Sequence, residues 1–404
     1  MPPSTDSAPL RELLDAIERE LPLAVALRHR LHAQPELAHM EQTTATRVAA
    51  ELPVVCQRVA GTGLLARVGR EDEAASPAPV GVRAELDGLP IEERSGAVFA
   101  ARGGVMHACG HDVHMAALVA LTRAAHALRN SLPAPLLAIF QPSEEAYPSG
   151  AQQLLASSEL TAIAPAAIVA AHVHPELPWG AVGLDPGAVN ASCDAIEIVV
   201  EGEPTHGAYP HRGRDPILAL AQIVVALHAE LGRRIDPLAA ASLTVGVLEG
   251  GSAENVIPRQ ARARAALRAH RPEDRMALRQ MVAEVVAGIA AAHGCQSTVE
   301  LVPGEPALEN DAAVVTRARE LLGGAGLVAA APWRSCGSDD FAFFGALAPL
   351  AMAFVGLDGA EGFTTRPLHH PELLPPDDAV GAVARAQAVL YLAAAQSSTD
   401  SAAR

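Results

Sequence analysis

The runs VGVRAEL at residues 80–86 and LLAIF at residues 136–140 are short and apolar, and each leads directly into a polar segment. This pattern is typical of buried parallel strands. Residues 114–130, between the two runs, are rich in alanine and leucine and have the composition of a helix, and residues 166–173 are a third predicted strand. Alternating strands and helices predict an α/β protein with a doubly wound, mostly parallel sheet.

Polar side chains occur where each predicted strand ends. Asp87 follows the first strand, the segment QPSEE at residues 141–145 follows the second, and His172 lies at the end of the third. Ligands of doubly wound sheets bind at the carboxyl ends of the strands. We therefore expect these side chains to share one site.

The segment MHACGHD at residues 106–112 places Cys109 two residues before His111, just ahead of the predicted helix. A thiolate and an imidazole at this spacing can both reach one metal ion. The QPSEE segment and the isolated His172 and His369 complete a possible ligand set. This combination predicts a metal-dependent hydrolase.

A second domain is predicted from about Cys193 onward, where the order of elements becomes β-α-β-β-α-β. This is the split βαβ order of a ferredoxin-like α+β unit. Because the candidate ligand His369 lies beyond it, we expect the unit to be an insertion at residues 191–302. The catalytic domain is then formed by residues 1–190 and 303–404.

Length and composition limit the function classes. The chain has 404 residues, half of them apolar, which is enough for two domains with buried cores. Its formal net charge of −16 disfavours binding to nucleic acids and to anionic membranes. The five cysteines are scattered and do not form a disulfide framework of the secreted kind.

The N-terminal segment predicts a cytoplasmic location. Charged residues stand where a secretory signal would need an uninterrupted apolar stretch, namely Asp6, Arg11, Glu12 and Asp15. No apolar run is expected to approach the ~20 residues that span a bilayer.

The chain resembles the metal-dependent aminoacylase and carboxypeptidase family, in particular its branch of hippurate hydrolases, auxin-conjugate amidohydrolases and N-acetyl-diaminopimelate deacetylases. The resemblance extends from about Arg28 to the C-terminal helix. It rests on eight ordered motifs: RAELDGLPIEE, MHACGHDVHMA, FQPSEEAYPSGA, AHVHP, GEPTHGAYPHRGRDPI, GGSAENVIP, GSDDF and LHHPEL. Glu85 and Asp339 depart from it, because relatives usually have Asp and Glu at these positions.

The resemblance implies two divalent metal ions per subunit, with five ligands: Cys109, His111, Glu145, His172 and His369. Thiolate, imidazole and carboxylate donors suit Zn²⁺, Mn²⁺, Co²⁺ or Ni²⁺ better than Ca²⁺ or Mg²⁺. Glu144 is implied as the general base that takes a proton from water activated by the metal. An isolated Glu-Glu pair would otherwise be interpreted as the solvated start of a helix.

The resemblance also implies residues that assist the reaction. Asp87 and Asp112 correspond to carboxylates that orient the ligand imidazoles, although either is also a plausible turn or helix-cap aspartate. His206 is expected to stabilise the developing oxyanion by reaching across a dimer interface. Asn255 and Arg268 are expected to bind the α-carboxylate of the substrate. Arg268 is alternatively one more outward arginine on its strand.

The implied reaction is hydrolysis of the amide bond of N-acyl amino acids, which yields a carboxylic acid and a free amino acid. A homodimer formed through the inserted domain, which would also act as a lid, is expected. One alternative is a dipeptidase or carboxypeptidase of the same architecture. A second is a binding protein that retained the fold and lost the chemistry, although the presence of all five ligands and Glu144 argues against it.

Overall fold

The computed structural model describes residues 8–70 and 77–402, the last five of these by their backbone alone. The helices within these ranges are α1 (Ala8–His32), α2 (Gln42–Glu51), α3 (His111–Ala127), α4 (Gly150–Ala156), α5 (Ser158–Ile163), α6 (Pro216–Arg234), α7 (Pro272–Ala292), α8 (Ala312–Leu322) and α9 (Asp378–Ala402).

The strands begin with β1 (Gln57–Val59), β2 (Gly63–Val68), β3 (Val80–Glu85), β4 (Leu136–Gln141), β5 (Ala167–Pro178), β6 (Ala181–Gly183), β7 (Gly187–Asn190) and β8 (Ser192–Glu201). They continue with β9 (Thr205–His206), β10 (Ala241–Gly250), β11 (Val256–Ile257), β12 (Gln260–Ala269), β13 (Gln296–Pro303), β14 (Leu308–Asn310), β15 (Val328–Ala329) and β16 (Leu350–Asp358). The three strands predicted to carry the site correspond to β3, β4 and β5.

The chain divides into two compact units. Unit 1 contains Met1–Gly187, Glu309–Trp333 and Phe343–Arg404, and unit 2 contains Ala188–Leu308 and Arg334–Ala342. The unit boundaries therefore fall at Gly187 and Leu308, where the sequence analysis placed them at 190 and 302. A further segment, 334–342, groups with unit 2.

Unit 1 is built on an eight-stranded sheet with the order β1-β2-β4-β3-β5-β16-β6-β15. Its centre is parallel, because β3 pairs in parallel with both β4 and β5, and β5 pairs in parallel with β16. Antiparallel pairs join β1, β2 and β4 on one side and β16 to β6 on the other. The predicted α/β fold class is confirmed.

The central strands of unit 1 are buried on both faces. Every residue of β3 and of β4 is buried, and α3 is apolar around most of its circumference because it packs between the sheet and helices α1 and α9. This burial explains why these strands are nearly continuous apolar runs rather than alternating ones. It also holds the carboxyl ends of β3, β4 and β5 side by side.

Unit 2 contains a four-stranded antiparallel sheet with the order β10-β12-β8-β13. The predicted β-α-β-β-α-β succession is confirmed by β8, α6, β10, β12, α7 and β13. Alternate residues of β8 and β12 are buried, and their apolar side chains form a separate core with α6 and α7.

Helix α6 corrects one expectation. Among the helices in the described part of the chain, it is the one long and apolar enough, by length and composition, to cross a membrane. One face of α6 packs into the core of unit 2 through Ala219, Leu220, Ile223 and Leu227. Packing into this core accounts for part of the apolar character of α6.

Candidate metal centre

Cys109 and His111 lie at the start of α3, separated by a glycine that the backbone requires. Gly110 has φ 81°, and a Cβ at this position would lie 2.5 Å from Val173 Cγ2. A side chain at this position would therefore be strained in both respects. Cys109 and His111 are both buried, and Cys109 Sγ lies 3.5 Å from His172 Nε2.

Asp87, directly after β3, connects two of the candidate ligands. Its backbone carbonyl accepts a hydrogen bond from His111 Nδ1 at 2.9 Å, and its carboxylate Oδ2 accepts one from the backbone N–H of Glu145 at 2.9 Å. Because a carbonyl oxygen can only accept, His111 carries its proton on Nδ1. The Nε2 atom of His111 is thereby directed into the site as a potential metal donor.

Glu145 and His369 complete one side of the site. Nε2 of His369 lies 3.1 Å from Oε1 of Glu145. His369 has φ 65°, a left-handed conformation that is uncommon for a residue other than glycine, and its N–H donates to Ala108 O at 2.8 Å. This hydrogen bond attaches the His369 loop to the loop that carries Cys109.

His172 lies on β5 and is held in one tautomer. Its Nδ1 donates to the carbonyl of Val173 at 2.7 Å, which leaves Nε2 with a lone pair facing Cys109. Burial lowers the pKa of His172 well below its usual range, as do the neighbouring imidazoles of His114 and His111. A neutral imidazole is the form that binds a metal ion.

The donor set fits a divalent cation. Donor atoms of Cys109, His111 and Glu145 all lie within 4.8 Å of one another, and His111 Nε2 is buried without a hydrogen-bond partner among the described residues. Although burial alone would lower the pKa of His111, the carboxylates of Glu85, Asp87 and Glu145 raise it to about 10. The negative charge that favours a proton on His111 equally favours a metal ion in its place.

Glu144 lies beside this donor set on the turn that follows β4. Its Oε2 is 3.8 Å from His111 Nε2, and its side chain is mostly buried. The preceding residue, Ser143, has φ 51°, and Glu41 fixes it by accepting hydrogen bonds from its N–H at 2.8 Å and its hydroxyl at 3.2 Å. The two consecutive glutamates are thus held on a rigid turn and directed toward one site.

The model of Peptidase family M20/M25/M40 matches residues 81–391, which is more than half of the chain. The chain belongs to this family. The family resemblance predicted from the eight motifs is confirmed, and the protein is a hydrolase of the M20 amidohydrolase and deacetylase class.

Several members of the M20 family are similar over most of their length. The chain is 34% identical over 363 residues to N-acetyl-L-cysteine deacetylase of Bacillus subtilis (strain 168), covering 89% of this chain and 84% of the relative. It is 33% identical over 365 residues to N-acetyldiaminopimelate deacetylase of Halalkalibacterium halodurans, covering 88% and 95%. The crystal structure of the Bacillus subtilis YXEP protein, described as a dinuclear metal-binding M20 peptidase, has a TM-score of 0.81 and 28% identity, covering 93% and 98%.

Three residues for which the resemblance predicts contact with the substrate lie in unit 2 of the M20 chain. His206 on β9 and the segment of Asn255 are neighbours, because Val256 pairs with His206 and Gly207 N donates to Asn255 O at 2.7 Å. Arg268, on β12, is half-buried, and its guanidinium donates to Cys336 O at 2.9 Å. Its side chain is therefore positioned by the protein rather than extended into solvent.

Asp112 differs from its predicted contacts. Its carboxylate accepts hydrogen bonds from Arg28 Nε and His32 Nδ1, both at 3.0 Å, and none from the candidate ligand imidazoles among the described residues. Burial would lower the pKa of His32, but Asp112 and Glu93 raise it to about 9, so His32 is an imidazolium at neutral pH. Asp112 therefore anchors α1 to the start of α3.

Four residues around the donor set were not predicted from the sequence to have a role there. Glu41 holds the turn of the two glutamates, and Thr62 holds Glu41 by donating to its Oε2 at 2.8 Å. The ring of His114 lies against His172, and Glu85 is hydrogen-bonded to His114. From the sequence, Glu85 was noted only as a departure from relatives. No spacing rule indicates such contacts, since Glu41 is 102 residues from Ser143.

Substitution of Asp87 should affect metal binding, whereas substitution of Asp112 should affect the stability of the fold. We expect Asp87→Asn to weaken metal affinity about 10–100-fold, because Asp87 orients Glu145 and faces the His111 imidazole. Asp112→Asn should instead lower the free energy of unfolding by about 3 kcal/mol, because it removes the buried carboxylate that pairs with Arg28 and one of the two buried carboxylates that pair with His32. Calorimetric metal titration and urea unfolding measure the two quantities, and equal metal affinities in both variants would contradict this assignment.

Proposed function

We propose that this M20-family protein hydrolyses the amide bond of N-acyl amino acids, using two divalent metal ions, and releases a carboxylic acid and a free amino acid. The observation that carries the proposal is the buried donor cluster with Glu144 beside it. Two relatives of about 33% identity support this substrate class, because both are named as deacetylases of N-acetylated amino acids.

The residues that would hold the metal ions are Cys109, His111, Glu145, His172 and His369. The mixture of thiolate, imidazole and carboxylate favours Zn²⁺, Mn²⁺, Co²⁺ or Ni²⁺. When bound, such ions polarise the amide carbonyl and lower the pKa of a coordinated water molecule. Proton transfer and substrate binding are the roles of the protein's own side chains.

Glu144 is proposed as the general base. Its carboxylate lies 3.8 Å from His111 Nε2, so it faces the donor set without occupying the position of a ligand. Glu144 takes one proton from the attacking water and passes it to the amide nitrogen as the C–N bond breaks. The amino acid then leaves as an amine, and the carboxylate of Glu144 is regenerated.

We propose that side chains of unit 2 bind the amino acid part of the substrate. Arg268 and Asn255 would bind the α-carboxylate, since a guanidinium pairs with a carboxylate in a planar, bidentate manner. His206 would stabilise the oxyanion that develops during attack. Arg268 would also supply a local positive charge in a protein whose net charge is −16.

Glu144→Gln tests the proposed chemistry. We expect this variant to bind metal normally and to release amino acids from acetyl, benzoyl and longer acyl amino acids about 10²–10⁴-fold more slowly, because its amide cannot accept a proton. The matched control is Glu176→Gln, which changes an exposed glutamate on β5 and should retain full activity.

The substrate panel also includes dipeptides, so that it separates acylase from peptidase activity. Metal-dependent release from acyl amino acids supports the proposal, whereas release from dipeptides alone would assign a peptidase. Near-normal turnover by metal-loaded Glu144→Gln would show that Glu144 is not the base.

We further propose that the protein is a homodimer through unit 2. The outer face of α6 presents a row of exposed apolar side chains, namely Leu218, Ala221, Val225 and Ala229. These residues are three, four and four positions apart, so they lie along one side of the helix. Strand β10 forms the adjacent edge of the sheet and exposes Leu248. A second copy of the chain would cover this surface.

Val225→Glu tests the dimer. Val225 is 71% exposed, and a charge there should convert the dimer to a monomer, because it would be buried without a partner in the interface. Met276→Glu is the matched control, since Met276 is 69% exposed on α7 and lies outside the proposed interface. Sedimentation velocity distinguishes the outcomes, and a monomeric wild-type protein would refute the proposal.

A further inference from the structure

A second group of side chains lies next to the donor set and has the composition of a metal site. It consists of Glu85, His111, His114 and His172, which are all buried and whose donor atoms all lie within 4.8 Å of one another. His111 and His172 are already candidate ligands. The role of the group therefore depends on whether His114 and Glu85 have donor atoms available for a metal ion.

His114 uses both of its ring nitrogens in hydrogen bonds within the protein. Its Nδ1 lies 2.8 Å from Oε2 of Glu85, and its Nε2 accepts from the backbone N–H of Val173 at 3.0 Å. Since an N–H can only donate, Nε2 carries the lone pair and Nδ1 carries the proton. No lone pair of His114 remains for a metal ion in this arrangement.

Glu85 is similarly occupied. One carboxylate oxygen bonds to His114, and the other pairs with the guanidinium of Arg83. Arg83 is almost fully buried, and its Nε also donates to Gln141 Oε1 at 2.8 Å. The negative charge of Glu85 is thus balanced by an adjacent positive charge, as buried charges generally require.

His114 is also connected to His172, through the backbone of Val173 and through ring contact. The pairing of β3 with β5 ends at Arg83 and Ala170. The N–H of Val173 lies beyond this ladder and donates a hydrogen bond to His114 Nε2. The carbonyl of the same residue, Val173, accepts the Nδ1 proton of His172. The rings of His114 and His172 are also in contact, with centroids 4.4 Å apart.

We propose that His114, held by Glu85 and Arg83, is a positioning residue for His172 and not itself a metal ligand. It fixes the backbone at Val173, whose carbonyl sets the tautomer of His172, and it supports the His172 ring. The Nε2 of His172 is thereby directed at the metal centre before any metal binds. This inference deepens the proposed function and rests on its metal chemistry.

His114→Asn tests the proposal through metal binding rather than activity. An asparagine amide can still donate to Glu85, but it removes the acceptor for Val173 N–H and the ring that supports His172. We expect Co²⁺ to bind with an unchanged stoichiometry and an affinity that is about 10–100-fold lower. The charge-transfer absorption of Co²⁺ bound to the Cys109 thiolate should remain. His126→Asn, on the same helix and outside this network, is the matched control and should bind Co²⁺ as the wild type does.

His114→Gln provides a second, more conservative variant. The longer side chain can place its carbonyl oxygen near the position of Nε2, where it accepts from Val173 N–H. We expect an affinity between those of the wild type and His114→Asn. This variant also keeps the test decisive if His114→Asn does not fold.

Two results would overturn the inference. Wild-type Co²⁺ affinity in the folded variants would show that His114 does not position His172. Loss of one equivalent of Co²⁺, with the other bound normally, would show that His114 is a ligand. A wild-type chain that binds no Co²⁺ would instead contradict the proposed function, and with it this inference.

Discussion

The hydrogen bonds accepted by Asp87 connect the segments that carry the metal donors. Its carbonyl accepts the Nδ1 protons of His111 and His107, and its carboxylate accepts the N–H of Glu145. One residue at the end of β3 thus aligns the loop before α3 with the turn after β4. The parallel pairing of β3 with β4 brings these segments close together, and Asp87 fixes their final geometry.

Electrostatics explain why a buried site with so many acidic groups is stable in this fold. Around the site, two buried carboxylates are paired with arginines, Asp112 with Arg28 and Glu85 with Arg83. The carboxylates of Glu85, Asp87 and Glu145 nevertheless raise the pKa of His111 to about 10, because negative charge exceeds positive charge around this imidazole. A divalent cation would neutralise that excess, so the folded protein is prepared electrostatically for metal binding.

Much of the fold and of the donor set could be predicted from the sequence, because both are encoded locally. Apolar runs define β3, β4 and β5, and each places its polar motif at the same edge of the sheet. The supporting residues could not be predicted, because their partners are distant in sequence. Glu41 contacts Ser143, and Asp112 was assigned to ligand imidazoles but contacts Arg28 and His32. Such pairings depend on how helices pack, which residue spacing does not encode.

We propose that five residues from four separate segments bind two metal ions in unit 1. The most direct measurement is a crystal structure of the zinc-loaded protein with anomalous diffraction recorded at the zinc edge. We predict two anomalous peaks, with Cys109 Sγ about 2.3 Å from zinc and the imidazole nitrogens of His111, His172 and His369 at about 2.0–2.1 Å. Peaks at other residues, or no peak beside Cys109 and His111, would contradict the account.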